Sequence, residues 1–248
     1  MMLFCGLLFV LAQRAHSYNA DLNLYGHRGG VVQLVPEHTK ASYALGAQAG
    51  ADYLEQDLVF TADGELVVLH DVELSRATDI ADHPEFANRT RTMSVWYRGD
   101  PHNYTNGQPT TLTNYAYNVT GWFAHEFTLA ELKTLRKVSG SYPEDQNPFN
   151  EIWSIMTFSE SLEVTLNLST IFGREIGVVP ETKHSEWYRS LGFGIMEEKV
   201  LAVLEEYGFV YIDDDGYYNP YYFDVDGDNM TDLKPAVILQ VECPMHLN

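Results

Sequence analysis

Residues 25–71 read YGHRGGVVQLVPEHTKASYALGAQAGADYLEQDLVFTADGELVVLHD, and the reading of the fold starts there. A short apolar run, Leu22 to Tyr25, ends in Gly26-His27-Arg28-Gly29-Gly30. That pattern predicts a strand running into a tight loop whose glycines let backbone approach a ligand closely. Pro36 to Gly50 predicts a helix, with Pro36 and Glu37 at its start, a stripe of Ala41, Ala44, Leu45 and Ala49, and Gly50 as its stop. Tyr53 to Phe60 is a second strand, Thr61 to Gly64 a turn, and Leu66 to Leu69 a third strand that delivers His70 and Asp71.

Beyond this stretch, Glu73 to His125 shows little periodicity and is rich in Asn, Thr, Tyr and Gly. It reads as a long surface insertion, about residues 73–125. The strand and helix rhythm then resumes. Thr128 and Glu131 form a capping box at the head of a helix to Val138, striped by Leu129, Leu132, Leu135 and Val138. Thr157 to Glu160 opens another helix in the same way. Glu175 to Pro180 is a fourth strand that delivers Glu181, Thr182, Lys183 and His184. Ile195 to Tyr207 is an amphipathic helix stopped by Gly208, and Pro235 to Val241 is a fifth strand. Strands alternating with helices predict a parallel α/β architecture. His27, Glu55, Asp57, His70 and Glu181 all fall at or near C-terminal strand ends, where a TIM barrel places its active site.

Glu55 and Asp57 are two apart on a strand, so their side chains share a face. Two carboxylates aimed into an interior repel each other unless a cation lies between them, and oxygen-only ligation suits Ca²⁺ or Mg²⁺. Glu181 is a candidate third ligand. Two exposed strand carboxylates are the plain alternative. His27 and His70 end two different strands, and one imidazole can accept a proton while the other donates one. Arg28 and Lys183 are cations beside the acids and could hold phosphate oxygens, or could simply pair with Glu37, Glu55 or Glu181. His38, on the helix, and His184, after Lys183, read as supporting residues at best. His16, His83, His102, His125 and His246 read as surface or insertion residues.

The whole chain narrows the partners. Its 248 residues, 45% hydrophobic and 20% charged, describe a globular protein. A net charge of −20 argues against nucleic acid and anionic membrane surfaces, which need basic patches. Met2 to Ala12 is an apolar run too short to span a bilayer, and Ala15-His16-Ser17 fits a signal-peptidase site. Residues 1–17 thus read as a signal peptide without lysine or arginine in its first part, and 18–248 as one domain with no stable membrane insertion after cleavage. Sequons at Asn88, Asn103, Asn118, Asn167 and Asn229 add to a secreted or endomembrane-lumenal reading. Cleavage would remove Cys5 and leave Cys243 alone. Asp224 to Asp232 alternates Asp with Gly, as turns and calcium loops both do, but lacks the twelfth-position Glu of an EF-hand.

Taken together, His27-Arg28-Gly29, Pro36-Glu37-His38-Thr39, Gly50-Ala51-Asp52, Glu55-x-Asp57, Thr61-x-Asp63-Gly64 and His70-Asp71 resemble the glycerophosphodiester phosphodiesterase family. The stretches HDVELSRATDIADHPEFANR, GWFAHEFTLAELKTLR, PETKH and GIMEEKVLAVLEEYGF resemble its secreted or periplasmic branch. The resemblance covers about residues 22–95, 120–209 and 234–241. It implies a TIM barrel that hydrolyses small glycerophosphodiesters, such as glycerophosphocholine, to glycerol 3-phosphate and an alcohol. It implies Glu55, Asp57 and Glu181 as ligands of Ca²⁺ or Mg²⁺, His27 and His70 as general acid and base, Arg28 and Lys183 on the phosphate, and Glu37 in support. Against that pattern, Gln240-Val241-Glu242-Cys243-Pro244 departs from the family's fifth strand, and the chain stops at Asn248. The expectation is a TIM-barrel-like fold, C-terminally incomplete, with about five of the eight strands. A phospholipase-D-like phosphodiesterase on the same barrel and a non-catalytic truncated product remain as alternatives.

Overall fold

The computed structural model describes residues 23–98, 104–105, 108–109, 114–140, 147–223 and 234–241. Residues 1–17, Asn103, Asn229, the 224–232 loop and Cys243 lie outside them. The chain opens with β1 (Tyr25–Gly26) and a 3-10 turn at His27–Gly29, followed by α1 (Lys40–Gln48) and β2 (Tyr53–Phe60). Thr39 caps α1 by accepting from Ser42 N–H. Every residue of β2 is buried, as expected of a strand paired on both edges and covered on both faces.

β3 (Leu66–Val68) corrects one expectation. It runs antiparallel to the end of β2, with Leu58 opposite Val68 and Phe60 opposite Leu66. It is a hairpin return, not a barrel strand. The tight turn at Thr61 to Gly64 forces that direction, because a parallel neighbour needs a crossover of a dozen or more residues.

The stretch read as a featureless insertion has structure of its own. β4 (Arg91–Arg98), β5 (Tyr104–Thr105), β6 (Gln108–Pro109) and β7 (Asn114–Gly121) follow one another, and β4 pairs with β7 over eight residues. Ile80, Phe86, Val95 and Phe123 join the main hydrophobic core, so this stretch is packed onto the domain. α2 spans only Leu129–Leu132, although the apolar stripe runs to Val138. The Thr128–Glu131 capping box forms as read. After it, Lys137 N–H donates to Trp153 C=O and Val138 N–H to Ala77 C=O, so flanking segments take the donors that a longer helix would use.

α3 (Phe158–Phe172) starts at its Thr157 capping box and ends on Gly173 in the left-handed region. β8 (Gly177–Thr182) leads into α4 (Ser185–Ser190) and α5 (Met196–Glu206). β9 (Val210–Ile212) and β10 (Tyr218–Pro220) form a hairpin, and β11 (Tyr222–Phe223) pairs antiparallel with β12 (Lys234–Pro235). β13 (Gln240–Val241) then pairs parallel with β8.

The main sheet has the order β1-β2-β8-β13, all parallel, with β3 added on β2. Tyr53 pairs with both Tyr25 and Gly177, and Leu58 with both Val68 and Thr182. β1 and β3 therefore share one edge of β2, and β8 holds the other. Among the described residues the parallel strands number four rather than five, and they form an open sheet, not a closed barrel. The fold is mixed α/β, with α1 and α3 packed against the sheet. No described helix is long and apolar enough to cross a membrane.

Candidate active site

Strand register builds the site. Asp57 stands opposite Glu181, and Glu181 opposite Gln240, so three neighbouring parallel strands set these side chains in a row. Period-two alternation puts Glu55 on the same face as Asp57. Gly26 pairs with Leu54, so the next residue along, His27, comes level with Glu55. His27 Nε2 is 3.7 Å from Glu55 Oε2.

The loop after β1 holds its shape by close packing. Arg28 has φ +53°, in the left-handed region, and Gly29 and Gly30 follow with φ +96° and +123°. Gly46 of α1 lies under this loop: a Cβ there would come within 2.0 Å of Gly29 C=O. A helix glycine and a loop glycine together let His27 and Arg28 approach Glu55. Arg28 N–H donates to Glu55 Oε2 at 2.6 Å, and its guanidinium Nη1 donates to Glu37 Oε2 at 2.9 Å.

Oxygen atoms of Glu55, Asp57 and Glu181 all lie within 4.8 Å of one another, and all three residues are buried. Burial, and then the charge of Asp57, lifts the Glu55 carboxyl to about 7. Burial pushes Asp57 upward too, but the His38 hydrogen bond and the Lys183 charge outweigh it and hold Asp57 below the usual range. His38 Nε2 lies 2.7 Å from Asp57 Oδ2, and burial lowers the His38 pKa, which favours a neutral ring donating to the carboxylate. Lys183 Nζ is 2.7 Å from Glu181 Oε1 and 3.2 Å from Asp57 Oδ1. Gln240 Nε2 donates to Glu181 Oε2 at 2.9 Å.

The residues present fit a hard divalent cation. The donor set is oxygen only, all three carboxylates are buried, and Asp57 Oδ1 meets only the Lys183 ammonium, at 3.2 Å. A divalent ion held by Glu55, Asp57 and Glu181 would compete with Lys183 for two of those carboxylates.

His27 is two-thirds exposed, and burial followed by the Arg28 charge lowers its pKa, which favours the neutral ring. His70 ends the loop after β3, with Nδ1 2.6 Å from Asp71 Oδ1. Glu37 would be lifted by its burial, but the Lys137 charge and the Arg76 hydrogen bonds hold it far below the ordinary carboxylate value.

All eight site residues read from sequence thus converge. Three more stand beside them that the sequence reading missed. Gln240 bonds Glu181, Arg76 bridges Asp71 and Glu37, and Lys137 lies fully buried next to Glu37. Arg76 fell in the stretch taken as insertion, and only its spacing of five from Asp71 could have drawn attention to it. Lys137 lies off the Leu129, Leu132, Leu135, Val138 stripe of the expected helix, which in fact ends earlier. His125 differs from its reading, whereas His38 supports the site as read. His125 packs among Phe123, Trp187, Tyr188 and Phe193 instead of facing solvent, and His38 contacts Asp57 directly.

Comparison with known proteins follows this geometry. Glycerophosphodiester phosphodiesterase GDPD6 of Arabidopsis thaliana is 34% identical over 190 residues, covering 74% of this chain and 44% of that protein. The glycerophosphodiester phosphodiesterase of Haemophilus influenzae is 31% identical over 200 residues, covering 77% of this chain and 47% of its own length. The chain spans about half the length of the curated relatives it matches. Among solved structures, a putative glycerophosphoryl diester phosphodiesterase from Silicibacter pomeroyi aligns with a TM-score of 0.47 at 22% identity, over 77% of this chain and 55% of that one. An Oleispira antarctica phosphodiesterase, solved with sn-glycerol-3-phosphate, aligns at 0.43 and 24%, over 75% and 51%. Residues 27–203 match the glycerophosphoryl diester phosphodiesterase family, well over half of the chain, and the chain belongs to that family.

Proposed function

We propose that this chain carries the catalytic face of a metal-dependent phosphodiesterase, which hydrolyses small glycerophosphodiesters to glycerol 3-phosphate and an alcohol. The observation that carries the reading is the convergence of three buried carboxylates within 4.8 Å, with His27 against one of them, in a chain of this family. Glu55, Asp57 and Glu181 would hold Ca²⁺ or Mg²⁺, which supplies charge neutralisation for phosphate oxygens. Arg28 and Lys183 bring guanidinium and ammonium donors to the same oxygens. His27 and His70 move the protons: one accepts from the attacking glycerol hydroxyl while the other gives a proton to the departing alkoxide, and water then opens the resulting cyclic phosphate to glycerol 3-phosphate with the two roles reversed. Glu37 anchors Arg28. Glycerol 3-phosphate release from glycerophosphocholine by the purified chain tests this. Chelation is expected to abolish it, and Glu55→Ala and His27→Ala each to lower it at least about 100-fold. Activity that survives both substitutions, or choline release from sphingomyelin instead, would overturn the reading.

The secreted or periplasmic-branch reading extends it. Residues 1–17 act as a cleaved signal peptide, and sequons at Asn88, Asn103, Asn118, Asn167 and Asn229 are glycan acceptors. Asn88, Asn118 and Asn167 are exposed, which supports this. Expression in a eukaryotic cell should put the protein in the medium, with a mass that drops on enzymatic deglycosylation. Cytosolic retention at the unmodified mass would refute it.

A further inference from the structure

Arg76 has no part in the chemistry above, yet its guanidinium is shared between two acids of the site. Nε donates to Asp71 Oδ2, while Nη2 lies 2.7 Å from Glu37 Oε1 and Nη1 3.3 Å from Glu37 Oε2. On its other oxygen Asp71 bonds His70 Nδ1 at 2.6 Å. Glu37 in turn bonds Arg28, and the Arg28 N–H bonds Glu55. An unbroken run of contacts therefore links His70, Asp71, Arg76, Glu37, Arg28 and Glu55. Each of the three Arg76 nitrogens faces a carboxylate, so the fork is committed to this bridge rather than aimed outward.

Two further features are built around that bridge. At Gly140 a Cβ would come within 2.4 Å of Arg76 Nη1 and 2.9 Å of Arg76 C=O, so only glycine leaves room for the guanidinium. Lys137 is fully buried, its Nζ has no hydrogen-bond partner, and its charge is the first of those that keep Glu37 ionised. A buried ammonium without a hydrogen bond is costly. Here it secures the anionic partner that the Arg76 fork needs.

We propose that Arg76 is a positioning residue, locking Asp71 onto His70 Nδ1 so that the proton sits on Nδ1 and Nε2 is left to exchange protons with the reacting groups. Through Glu37 the same guanidinium fixes Arg28, which couples the placement of the proton-transfer histidine to that of the phosphate-facing cation. The role rests on the phosphodiesterase reading, but the tautomer can be measured without activity. Ring ¹⁵N NMR of the full chain, with His70 assigned by its loss in His70→Gln, should show the Nδ1–H form in the parent. Arg76→Ala should shift His70 toward the Nε2–H form that free imidazole prefers. In the glycerophosphocholine assay Arg76→Ala should lower kcat about 100-fold with KM within about threefold, and added guanidinium should restore part of the loss. Arg76→Lys should stay impaired, because a point charge cannot bridge two carboxylates as a fork does.

An unchanged tautomer, a loss lying in KM alone, or full activity of Arg76→Lys would each overturn the proposal. If Arg76→Ala loses its dispersed spectrum, Asp71→Asn decides instead: it should invert the His70 tautomer, and failure to do so refutes the role. A parent protein that releases no glycerol 3-phosphate would sink the phosphodiesterase reading while the tautomer measurement still decides on Arg76.

Discussion

Lys183 and His38 solve the same problem from opposite sides. Asp57 is buried, and each of its oxygens faces one of them, Oδ1 the ammonium and Oδ2 the imidazole. A buried carboxylate left bare would cost several kcal/mol, so the pair of partners keeps Asp57 charged while Glu55 is the acid that gives way. His125 shows the converse case, a titratable ring with only aromatic company. Its Nδ1 has no hydrogen-bond partner, and burial lowers its pKa to about 4. The unfolded ring, near 6.5, binds its proton more readily, so between about pH 6.5 and pH 4 the unfolded chain holds the extra proton and stability falls as pH falls. Discounted for the solvent that reaches the ring, the effect is about 1–2 kcal/mol. Melting parent and His125→Phe at pH 7.5 and pH 4.5 should show the smaller acid loss in the variant. Parallel losses would rule out a buried neutral His125.

At the scale of elements, the β4–β7 hairpin braces the segment that follows the acidic cluster. Trp187 of α4 donates its indole N–H to Ser94 C=O at 3.1 Å, Val95 is fully buried, and the Tyr117 ring lies 6.4 Å from the His184 ring. His184 directly follows Lys183, so the hairpin supports the end of β8 from outside. Val95→Ala should cost about 2 kcal/mol in denaturant unfolding, and Trp187→Phe about 1 kcal/mol from the lost hydrogen bond. Changes below about 0.5 kcal/mol in both would mean that the hairpin is not docked this way. This element was hard to read because its alternating apolar runs, Met93 and Val95 on β4 and Tyr117 and Val119 on β7, are short and lie among Asn, Thr, Ser and Arg. Thr92, Val95 and Trp96 on β4, and Tyr117, Val119 and Thr120 on β7, with Val95 opposite Tyr117 and Thr92 opposite Thr120, were the available signal. β2 was legible to the residue, since the apolar, β-forming ends Tyr53-Leu54 and Leu58-Val59-Phe60 flank Glu55, Gln56 and Asp57 between a Gly50 stop and the Thr61–Gly64 turn, although its burial was not. The direction of β3 was not, because three apolar residues specify a strand without its partner. Likewise the acids and histidines of the site stood in recognisable motifs, while Arg76 and Lys137 were hidden by tertiary pairing that no local pattern encodes.

On the scale of the whole molecule, a net charge of −20 bears on every acid in the site. General self-repulsion means that any added salt stabilises such a chain to some extent. A specific ion does more, because three carboxylates from two neighbouring strands, β2 and β8, meet at one point and their mutual repulsion is part of the energy of the fold. Binding there should stabilise by RT ln(1 + [L]/Kd), about 2.7 kcal/mol at a hundredfold excess over Kd. Thermal melts with Ca²⁺ or Mg²⁺ should therefore exceed melts in sodium chloride of equal ionic strength. Glu181→Gln keeps the size of the side chain and its neighbour Gln240 but removes one ligand charge, so the excess should shrink to the sodium value. A divalent shift of the same size in parent and variant would reduce the effect to screening of the surface, and the three acids would then need another explanation for lying together.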